Sequence, residues 1–443
     1  MASAEFEKEK TGGFGAIFRS FKYRNYRLFF AGQSISLIGT WIQRIATPWL
    51  VYHLTGSPLL LGVIGFAGQI PTFLIAPFAG VMTDRWNRYH LLIVTQIAAM
   101  IQALILAFLY LDGRIEIWHI VLLNIFLGCI NAFDVPARQS FVIEMVEKKE
   151  DLGNAIALNS SMVNAARLLG PSIAGLLIAF MGEGICFLIN GISYLFVIAS
   201  LLMMKVAPRK IKRKDTHVLK ELKDGFSYVF GFPPIKHIIF LLSLVSLMGM
   251  QYTILMPVFA REVMHGGSHT FGFLIGASGL GALTGALYLA SRKNALGLFR
   301  IIPLAAGIFG LGLVALSFSK FFSLSLALMV IVGLGMMLQM ASSNTILQTI
   351  TDDDKRGRVM SFYTMAFMGT APFGSILAGG LAKMIGVSNT ILIGGISCIA
   401  GAAVFAYKLP KLNKMVHSIY VNMNLKPTAS DEALFRPNGG PDK

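Results

Sequence analysis

The feature that most constrains this chain is a series of apolar runs, each near or above the length that a helix needs to cross a lipid bilayer, about 20 residues. The runs fall near 26–54, 59–83, 89–111, 116–144, 153–180, 184–204, 236–261, 270–290, 298–318, 322–349, 357–382 and 388–408. Charged residues make up only 14% of the chain, whereas soluble domains carry about 25%. The sequence therefore predicts an all-α integral membrane protein with about twelve transmembrane helices.

The gaps between the runs alternate between basic and nearly neutral. The basic gaps carry Arg85, Arg88, Lys148, Lys149, Lys205, Arg209, Lys210, Lys212, Arg213, Lys214, Arg292, Lys293, Lys355, Arg356 and Arg358. The neutral gaps carry little beyond Arg114, Arg261, Lys320 and Lys383. Because cytoplasmic loops are enriched in lysine and arginine, this pattern predicts that the basic loops and both termini are cytoplasmic. The same placement accounts for the net charge of +16 without a nucleic-acid partner.

One long gap divides the apolar runs into two sets of six. Residues 205–235 begin with bases and end at Pro233-Pro234. Within the gap, apolar residues recur at the spacing of an amphipathic helix, namely at Leu219, Leu222, Phe226, Val229 and Phe230. We interpret the gap as a cytoplasmic linker between two six-helix halves, 25–204 and 236–409.

The two sets of runs repeat one another weakly. An offset of 201 residues aligns Ser160 with Ser361, Ala165 with Ala366 and Pro171 with Pro372. These pairs fall on the fifth and eleventh runs, which two parallel repeats would superpose. We therefore expect the halves to be related by a pseudo-twofold axis along the membrane normal.

Short segments flank the two halves. Phe14, Ile17, Phe18 and Phe21 recur at helical spacing, with bases between them. They indicate a short helix on the cytoplasmic membrane face within residues 1–24, or else an extension of the first helix. Residues 410–443 contain no membrane-length run and are predicted to form a cytoplasmic tail.

The loop between the second and third runs carries a motif. Gly80, Asp84, Arg85 and Arg88 match the pattern G-x-x-x-D-R-x-G-R-R, and this loop resembles the cytoplasmic motif between helices 2 and 3 of the major facilitator superfamily. Asn87 stands where that family prefers glycine, and asparagine tolerates a left-handed turn. The resemblance implies the two-half fold. It also implies that Asp84 interacts with the start of helix 11 and stabilises an outward-open state.

The fifth run carries a second match to the superfamily. Ala166, Gly170, Pro171, Ala174 and Gly175 resemble the G-x-x-x-G-P-x-x-G-G motif of its antiporters, with alanine at two glycine positions. Small residues let helix backbones approach closely, and the proline permits a bend. The motif implies export, with ordinary helix packing as the alternative.

A third superfamily motif is incomplete. Gly128 and Pro136 stand 4 and 12 residues after position 124, which is the spacing of a helix-4 motif of exporters. That motif begins with an arginine, but this chain has Asn124. No proton-coupling role can therefore be transferred to this position.

Several charged and polar residues fall inside the apolar runs, where a charge is costly. Asp134 and Arg138 lie one helical turn apart and can pair, although Pro136 lies between them. The excess of arginines over acids favours an anionic substrate or a charge-compensated pair. The candidates for the substrate or proton pathway are Arg44, Asp134, Arg138, Arg167, Gln251, Tyr252, Gln339 and Asn344. A structural charge network at the cavity wall is the alternative.

Five segments resemble one bacterial branch of the superfamily, the branch that contains the enterobactin exporter and the macrolide efflux proteins. The segments are 39–43, 54–58, 136–139, 154–175 and 356–360. The resemblance implies a single-polypeptide exporter in the bacterial inner membrane, driven by an ion gradient.

The predicted function is therefore secondary active, proton-coupled export of an amphiphilic small molecule, a siderophore or a drug. The alternatives are transport of a lipid-like or nutrient substrate in another direction, and a non-transporting receptor or scaffold. We expect no enzymatic activity, because the sequence shows no nucleophile–base set. We expect no cofactor and no metal, because His265 and His269 sit in a glycine loop and no Walker motif occurs. The predicted partners are the substrate, the coupling proton and lipid, with the chain as a monomer.

Overall fold

The structure, a computed structural model, describes residues 18–206, 226–292, 296–352 and 355–422. Within these ranges the regular elements are helices, and no strand is formed. Twelve long helices follow one another: α1 Arg24–Thr55, α2 Pro58–Arg85, α3 Arg88–Leu111, α4 Ile117–Glu144, α5 Lys149–Met181, α6 Glu183–Leu202, α7 Pro233–Val263, α8 Ser268–Ser291, α9 Leu298–Phe318, α10 Phe322–Ile350, α11 Arg356–Ile385 and α12 Val387–Asn422. The predicted fold class, an all-α membrane protein, is confirmed.

By length and composition, eleven of the described helices could cross a membrane, and α1 is not among them. Helix α1 has 32 residues, so its length is sufficient. It carries Arg44 and the buried amides Gln33 and Gln43, which make it less apolar than the others. Because α1 packs against α5 and α6, the buried amides Gln33 and Gln43 face protein rather than lipid.

The apolar runs and the helices agree closely in their bounds. Helix α9 spans the predicted residues 298–318. The largest difference is at α12, which continues through Pro410 to Asn422, where the sequence predicts a tail. Leu412 and Val416 explain the extension, because both are buried against the bundle and burial of apolar surface stabilises the added turns.

The turns between helices fall alternately at two ends of the bundle. The α1–α2, α3–α4, α5–α6, α7–α8, α9–α10 and α11–α12 turns form one end, which we call the neutral end. The remaining turns form the basic end. At the neutral end the chain reverses at Gly56, Gly182 and Gly386, with φ of 59°, 80° and 85°. Glycine adopts this region without steric cost, so these turns can be short.

The most extensive contacts between the first six helices and the last six are those of α2 with α11 and of α5 with α8. Glycines face each other at both crossings. A Cβ on Gly62 would lie 3.2 Å from the Cα of Gly379, and a Cβ on Gly175 would lie 3.0 Å from the Cα of Gly272. All four glycines lie in the neutral-end part of their helices. The two sets of helices therefore meet backbone to backbone there, as small residues permit.

Helices α7 and α11 are irregular. Helix α7 contains π-helical turns at Val245–Gly249 and Phe259–Val263, and α11 contains one at Met365–Gly369. The first and last of these lie against each other, because Ser246 Oγ donates to the carbonyl oxygen of Phe367 at 2.5 Å. Such turns occur frequently at functional sites. The sequence pattern does not predict them.

The predicted N-terminal interfacial helix is described only in part, because residues 14–17 lie outside the described ranges. The described part is a 3-10 turn, Arg19–Lys22. Lys22 Nζ lies 2.6 Å from Asp151 Oδ2, and Tyr23 OH donates to the same oxygen at 2.7 Å. The bond to this carboxylate raises the pKa of the Lys22 ammonium. The described part of the segment is thus bound to the start of α5 as a 3-10 turn, and the membrane-surface helix stays a prediction.

The predicted linker helix is described from residue 226 onward, and Leu219 and Leu222 lie outside the described ranges. Residues 226–231 are helical. The ring of Phe226 lies 6.3 Å, centroid to centroid, from that of Phe362 in α11. This end of the linker therefore packs at the basic end of α11.

Candidate substrate site

A tryptophan in the middle of the first six helices lies beside two arginines. Trp41 and Arg44 belong to α1, and Arg167 belongs to α5. The Cζ atoms of Arg44 and Arg167 lie 4.7 and 5.7 Å from the centroid of the indole, within cation–π distance. We call these three residues the Trp41 cradle.

Arg44 is exposed to solvent, and Arg167 is half-buried. Protein atoms nevertheless surround the Arg44 guanidinium. The exposure of Arg44 therefore reports a space between the helices rather than a lipid-facing surface.

Neither arginine of the cradle forms an ion pair with an acid among the described residues. The ionic groups that interact with Arg44 include Arg167 and Arg138, which have the same sign. Arg167 interacts with the phenol of Tyr252, which belongs to α7. The cradle thus carries two positive charges without a counter-charge.

Two small residues of the helix 5 motif position Trp41. A Cβ on Gly170 would lie 2.4 Å from the Cβ of Trp41, which is closer than stable contacts allow. Ala166, one turn earlier, is 2% exposed and packs in the same apolar cluster as Trp41. The indole can lie against α5 because position 170 has no side chain.

The other three residues of the motif lie where α5 meets α8. Gly175 faces Gly272 at the crossing, and the carbonyl oxygen of Pro171 would lie 2.5 Å from a Cβ on Gly272. Ala174 is fully buried. The motif therefore makes room for Trp41 at one point and for α8 at another.

A chain of buried amides fixes the rotation of α1 beside Arg44. Asn190 Nδ2 of α6 donates to Gln43 Oε1 at 2.7 Å, and Gln43 Nε2 donates to Gln102 Oε1 of α3 at 2.9 Å. Successive helical residues point about 100° apart. Since Gln43 is bound to α3 and α6, Arg44 is turned away from them toward the space between the helices.

Asp134 of α4 is engaged on both carboxylate oxygens. Oδ1 accepts from Thr95 Oγ1 at 3.0 Å and from Gln96 Nε2 at 2.7 Å, both on α3. Oδ2 lies 3.5 Å from Arg138 Nε, one turn along α4. The Asp134 side chain is 9% exposed and that of Arg138 is 21% exposed. Arg44 is not among these partners, so Asp134 and the cradle form separate groups.

The candidates of α7 lie at helix interfaces. Gln251 Oε1 accepts from Ser375 Oγ of α11 at 3.0 Å, and its Nε2 donates to the carbonyl oxygen of Ser246 at 2.8 Å. Tyr252 OH lies 2.7 Å from Ser278 Oγ of α8. Gln251 therefore ties α7 to α11, and Tyr252 ties α7 to α8.

The candidates of α10 are also away from the cradle. Gln339 is 1% exposed, and its Nε2 has no hydrogen-bond partner among the described residues. Asn344 Oδ1 accepts from Gln348 Nε2 at 2.6 Å. Of the four candidates in the last six helices, Tyr252 is the one that interacts with the cradle, through Arg167.

The loop motif after α2 is described in part. Gly80 lies within α2, and the side chains of Asp84 and Arg85 lie outside the described part of the structure. The contact expected between Asp84 and the start of helix 11 therefore lies outside it too. Arg88 Nη1 donates to Glu144 Oε1 at 2.9 Å, which joins the start of α3 to the end of α4.

Asn87 does not adopt a left-handed turn, because its φ is −71°. Its Oδ1 instead accepts from the backbone N–H groups of Tyr89 at 3.0 Å and His90 at 3.4 Å. Asparagine is a preferred N-cap residue. A helix cap, rather than tolerance of positive φ, explains why asparagine serves at this glycine position.

The incomplete helix 4 motif serves helix packing. Asn124 Nδ2 donates to the carbonyl oxygen of Ile120 at 2.8 Å, within α4. A Cβ on Gly128 would lie 2.6 Å from the carbonyl oxygen of Gly68, so α2 and α4 cross closely there. Pro136 lies inside α4 between Asp134 and Arg138.

Neither Trp41 nor the polar bonds of the neutral end are among the site residues that the sequence predicts. Trp41 lies three residues before Arg44, which places both on one helix face, and that spacing was the available signal. At the neutral end, Tyr52 OH of α1 donates to the Glu262 carboxylate of α7 and so links the first six helices to the last six. Tyr110 OH donates to Glu183 Oε2 at 2.6 Å, within the first six helices.

The chain resembles known transport proteins over most of its length. A family model described as transmembrane secretion effector matches residues 16–434. The staphyloferrin A transporter of Staphylococcus aureus is 26% identical over 387 residues, which cover 87% of this chain and 96% of that protein. Macrolide efflux protein A of Streptococcus pyogenes is 23% identical over 405 residues, covering 88% of this chain and 99% of the relative. Enterobactin exporter EntS of Shigella boydii is 25% identical over 373 residues, which cover 81% of this chain and 86% of the relative.

Solved structures share the architecture. A bacterial homologue of the iron transporter ferroportin, in an inward-facing state, aligns with a TM-score of 0.66 at 17% identity, over 87% of this chain and 98% of the other. At this identity the likeness shows the fold alone. The family model, in contrast, matches nearly every described helix, including the cradle and the helix 5 motif. The chain therefore belongs to the transmembrane secretion effector family, whose members are multi-pass transporters of the major facilitator superfamily.

Proposed function

We propose that the chain is a secondary active exporter of the bacterial inner membrane, which moves an amphiphilic small molecule, a siderophore or a drug, outward in exchange for protons. The names of three relatives support this class of substrate, since they are a siderophore transporter, a macrolide efflux protein and an enterobactin exporter. The chain acts as a monomer. Its basic end faces the cytoplasm, in keeping with the positive-inside rule.

The observation that carries the proposal is the way in which the two sets of helices meet. They are in backbone contact at Gly62 and Gly379 and at Gly175 and Gly272, all toward the neutral end. Yet Arg44, in the middle of α1, is exposed to solvent. A ligand therefore reaches the cradle from the basic end in this state. With the basic end in the cytoplasm, this is the loading state of an exporter.

Release on the other side requires the opposite state, in which the neutral-end contacts part. The contacts that must break include the bond from Tyr52 to Glu262, the bond from Ser268 Oγ to the carbonyl oxygen of Gly175, and the two glycine crossings. The helix pairs α2–α11 and α5–α8 are then the moving interface. This is alternating access between the first and last six helices.

Asp134 is our candidate for the coupled proton. Its carboxylate accepts from Thr95 and Gln96 and lies beside Arg138, inside α4. A conformational change that weakens these bonds would let the carboxylate take up a proton, and their return would release it. The alternative is that the same bonds only hold α3 to α4.

The test uses Asp134→Asn reconstituted into vesicles at the same folded amount as the unaltered protein. Loss of gradient-driven transport with substrate binding retained supports the proton role. Full proton-driven transport by the variant places the proton site elsewhere.

Direction and energy source are tested in everted membrane vesicles that contain the chain. We expect respiration-dependent uptake of a labelled macrolide or of an iron-free siderophore, and an uncoupler should abolish it. Vesicles from cells without the chain serve as the control. Uptake only into right-side-out vesicles would favour the alternative, movement of a nutrient or lipid-like substrate in another direction, and no gradient-dependent uptake in either orientation would reject the exporter.

A further inference from the structure

The charge of the Trp41 cradle is not balanced by protein. Arg138 is engaged with Asp134, so this acid is already matched. Arg44 and Arg167 lie beside the same indole and have no acidic partner among the described residues. Charges inside a transmembrane bundle are costly and mark ligand or ion pathways. The arrangement is therefore complete only when an anion is present.

We propose that the Trp41 cradle binds a ligand with at least two carboxylates, or other oxyanion groups, on an apolar or aromatic body. A guanidinium binds a carboxylate through two parallel hydrogen bonds, and the cradle offers two guanidiniums from different helices. The indole beside them supplies an apolar surface for the body of the ligand. The inference rests on the proposed function, because it names the substrate class of that same site and sets cationic drugs aside.

The cradle is fixed before a ligand arrives. Gly170 lets the indole lie against α5, and Gln43 is bound to α3 and α6 next to Arg44. Preorganisation of this kind raises affinity because less freedom is lost on binding. The spacing of the two guanidiniums is therefore a selective feature of the site.

The position of the cradle also connects binding to the last six helices. The carbonyl oxygen of Arg167 would lie 2.9 Å from a Cβ on Gly279 of α8, so Arg167 stands at the α5–α8 crossing. Tyr252 of α7 lies within electrostatic range of the same arginine and is bound to Ser278 of α8. An anion held by Arg167 therefore lies next to the interface that must move. A ligand with different affinity for the two states would shift their populations.

The test is titration calorimetry on the full chain in neutral detergent at constant ionic strength. The probes are benzene-1,3-dicarboxylate, benzoate, and the uncharged dimethyl ester of the dicarboxylate. We expect the dicarboxylate to bind at least about tenfold more tightly than benzoate, because each charged hydrogen-bonded contact contributes substantially, and we expect no binding of the ester. Equal binding of all three probes, or no binding of the dicarboxylate, would overturn the proposal.

Substitutions of the two arginines test whether the dicarboxylate binds at the Trp41 cradle. Arg44→Gln and Arg167→Gln should each reduce dicarboxylate affinity about tenfold or more, to the level of benzoate. Arg44→Lys should recover only part of the loss, since the planar fork is missing. The matched control is Arg114→Gln in the exposed α3–α4 turn, where the Arg114 side chain is 78% exposed. Unchanged dicarboxylate affinity in the double Arg44→Gln/Arg167→Gln variant would also overturn the proposal.

Gly170→Ala tests the positioning of the indole without removing a charge. The added methyl should displace Trp41 and weaken dicarboxylate binding while benzoate binding changes less, so the ratio of the two affinities falls. The outcomes separate the two proposals. Dicarboxylate binding without gradient-driven uptake would reject the exporter and leave the cradle standing. Gradient-driven uptake of the iron-free siderophore that is unaffected in the double arginine variant would reject the cradle and leave the exporter standing.

Discussion

Asp134 on α4 has two hydrogen-bond donors and an arginine around its carboxylate, whereas Arg44 on α1 and Arg167 on α5 have an indole and like charges. Both groups lie inside the first six helices, where placing a charged side chain costs free energy. The difference lies in whether the protein or a ligand supplies the groups that compensate the charge. At Asp134 the protein supplies it, so the group contributes to stability. At the cradle the compensation is left to a ligand, so stability is given up for binding.

The largest expected effect is at the satisfied group. Asp134→Ala leaves Gln96 and Arg138 without this acceptor, while Thr95 Oγ1 keeps the carbonyl oxygen of Leu92 at 2.9 Å. Breaking a buried pair in this way costs about 3–5 kcal/mol. We expect a large fall in the melting temperature of the purified protein, measured by thermal unfolding in detergent. Arg138→Gln should cost less, because Arg138 is partly exposed and lies 3.5 Å from the carboxylate. An unchanged melting temperature of Asp134→Ala would remove the contrast between the two groups.

The second effect concerns the support of the cradle. Gly170→Ala places a methyl 2.4 Å from the Cβ of Trp41, and overpacking of this kind costs about 1–3 kcal/mol. Gly153 in the same helix is the matched control, because a Cβ there meets nothing within 4 Å. Gly153→Ala should raise stability by up to about 1 kcal/mol through helix propensity. In thermal unfolding we expect Gly170→Ala to lower the melting temperature and Gly153→Ala to raise it. Equal shifts of the melting temperature in the two variants would contradict the tight contact at Gly170.

The third effect separates bonds within one set of six helices from bonds between the two sets. Tyr52→Phe removes the bond to Glu262 across the neutral end, and Tyr110→Phe removes a similar bond to Glu183 within the first six helices. A lost hydrogen bond of about 1 kcal/mol should shift the ratio of neutral-end-open to neutral-end-closed states about fivefold for Tyr52→Phe alone. Spin-label distances between the α1–α2 and α7–α8 turns measure the ratio. The same distance distribution for Tyr52→Phe as for Tyr110→Phe would show that Tyr52 does not hold this end closed.

The smallest effect has the opposite sign and distinguishes the cradle most directly from Asp134. The Cζ atoms of Arg44 and Arg167 lie within 4.7 and 5.7 Å of one ring centroid, so the two charges repel by about 1–2 kcal/mol at an effective dielectric constant of 20. Arg44→Gln removes this repulsion and also the cation–π contact, which is worth about 0.5–1 kcal/mol. We expect the ligand-free variant to be more stable by about 0.5–1 kcal/mol in denaturant unfolding. A clear loss of stability would mean that Arg44 has a structural role.

The helices could be predicted because lipid dictates their composition. Helix α9 has the predicted bounds, and α12 differs because Leu412 and Val416 are buried by neighbouring helices beyond the apolar run. The π turns of α7 and α11 were not predictable. A π turn holds one residue more than an α-helical turn, and a continuous apolar run looks the same with or without that extra residue.

The site was predictable to the extent that its chemistry lies on one helix. The pair Asp134 and Arg138 follows from the spacing along α4. The donors Thr95 and Gln96 come from α3, and their register against α4 depends on packing that one sequence does not reveal. Trp41 beside Arg167 likewise depends on the crossing of α1 with α5, which position 170 permits only as glycine.

The facing glycines of α2 and α11, and of α5 and α8, have a mechanical consequence. Gly62 meets Gly379 and Gly175 meets Gly272 with no side chains between the backbones. The glycines themselves do not interlock, so at these points the backbones can separate or slide without a side chain in the way, although the bond from Ser268 Oγ to the carbonyl oxygen of Gly175 must break. The same close contact makes the two helix crossings sensitive to any added side chain. A single methyl group at any of the four positions would lie against the facing backbone at the neutral end. It would therefore hinder the close approach of the two helices sterically while leaving every charge in place.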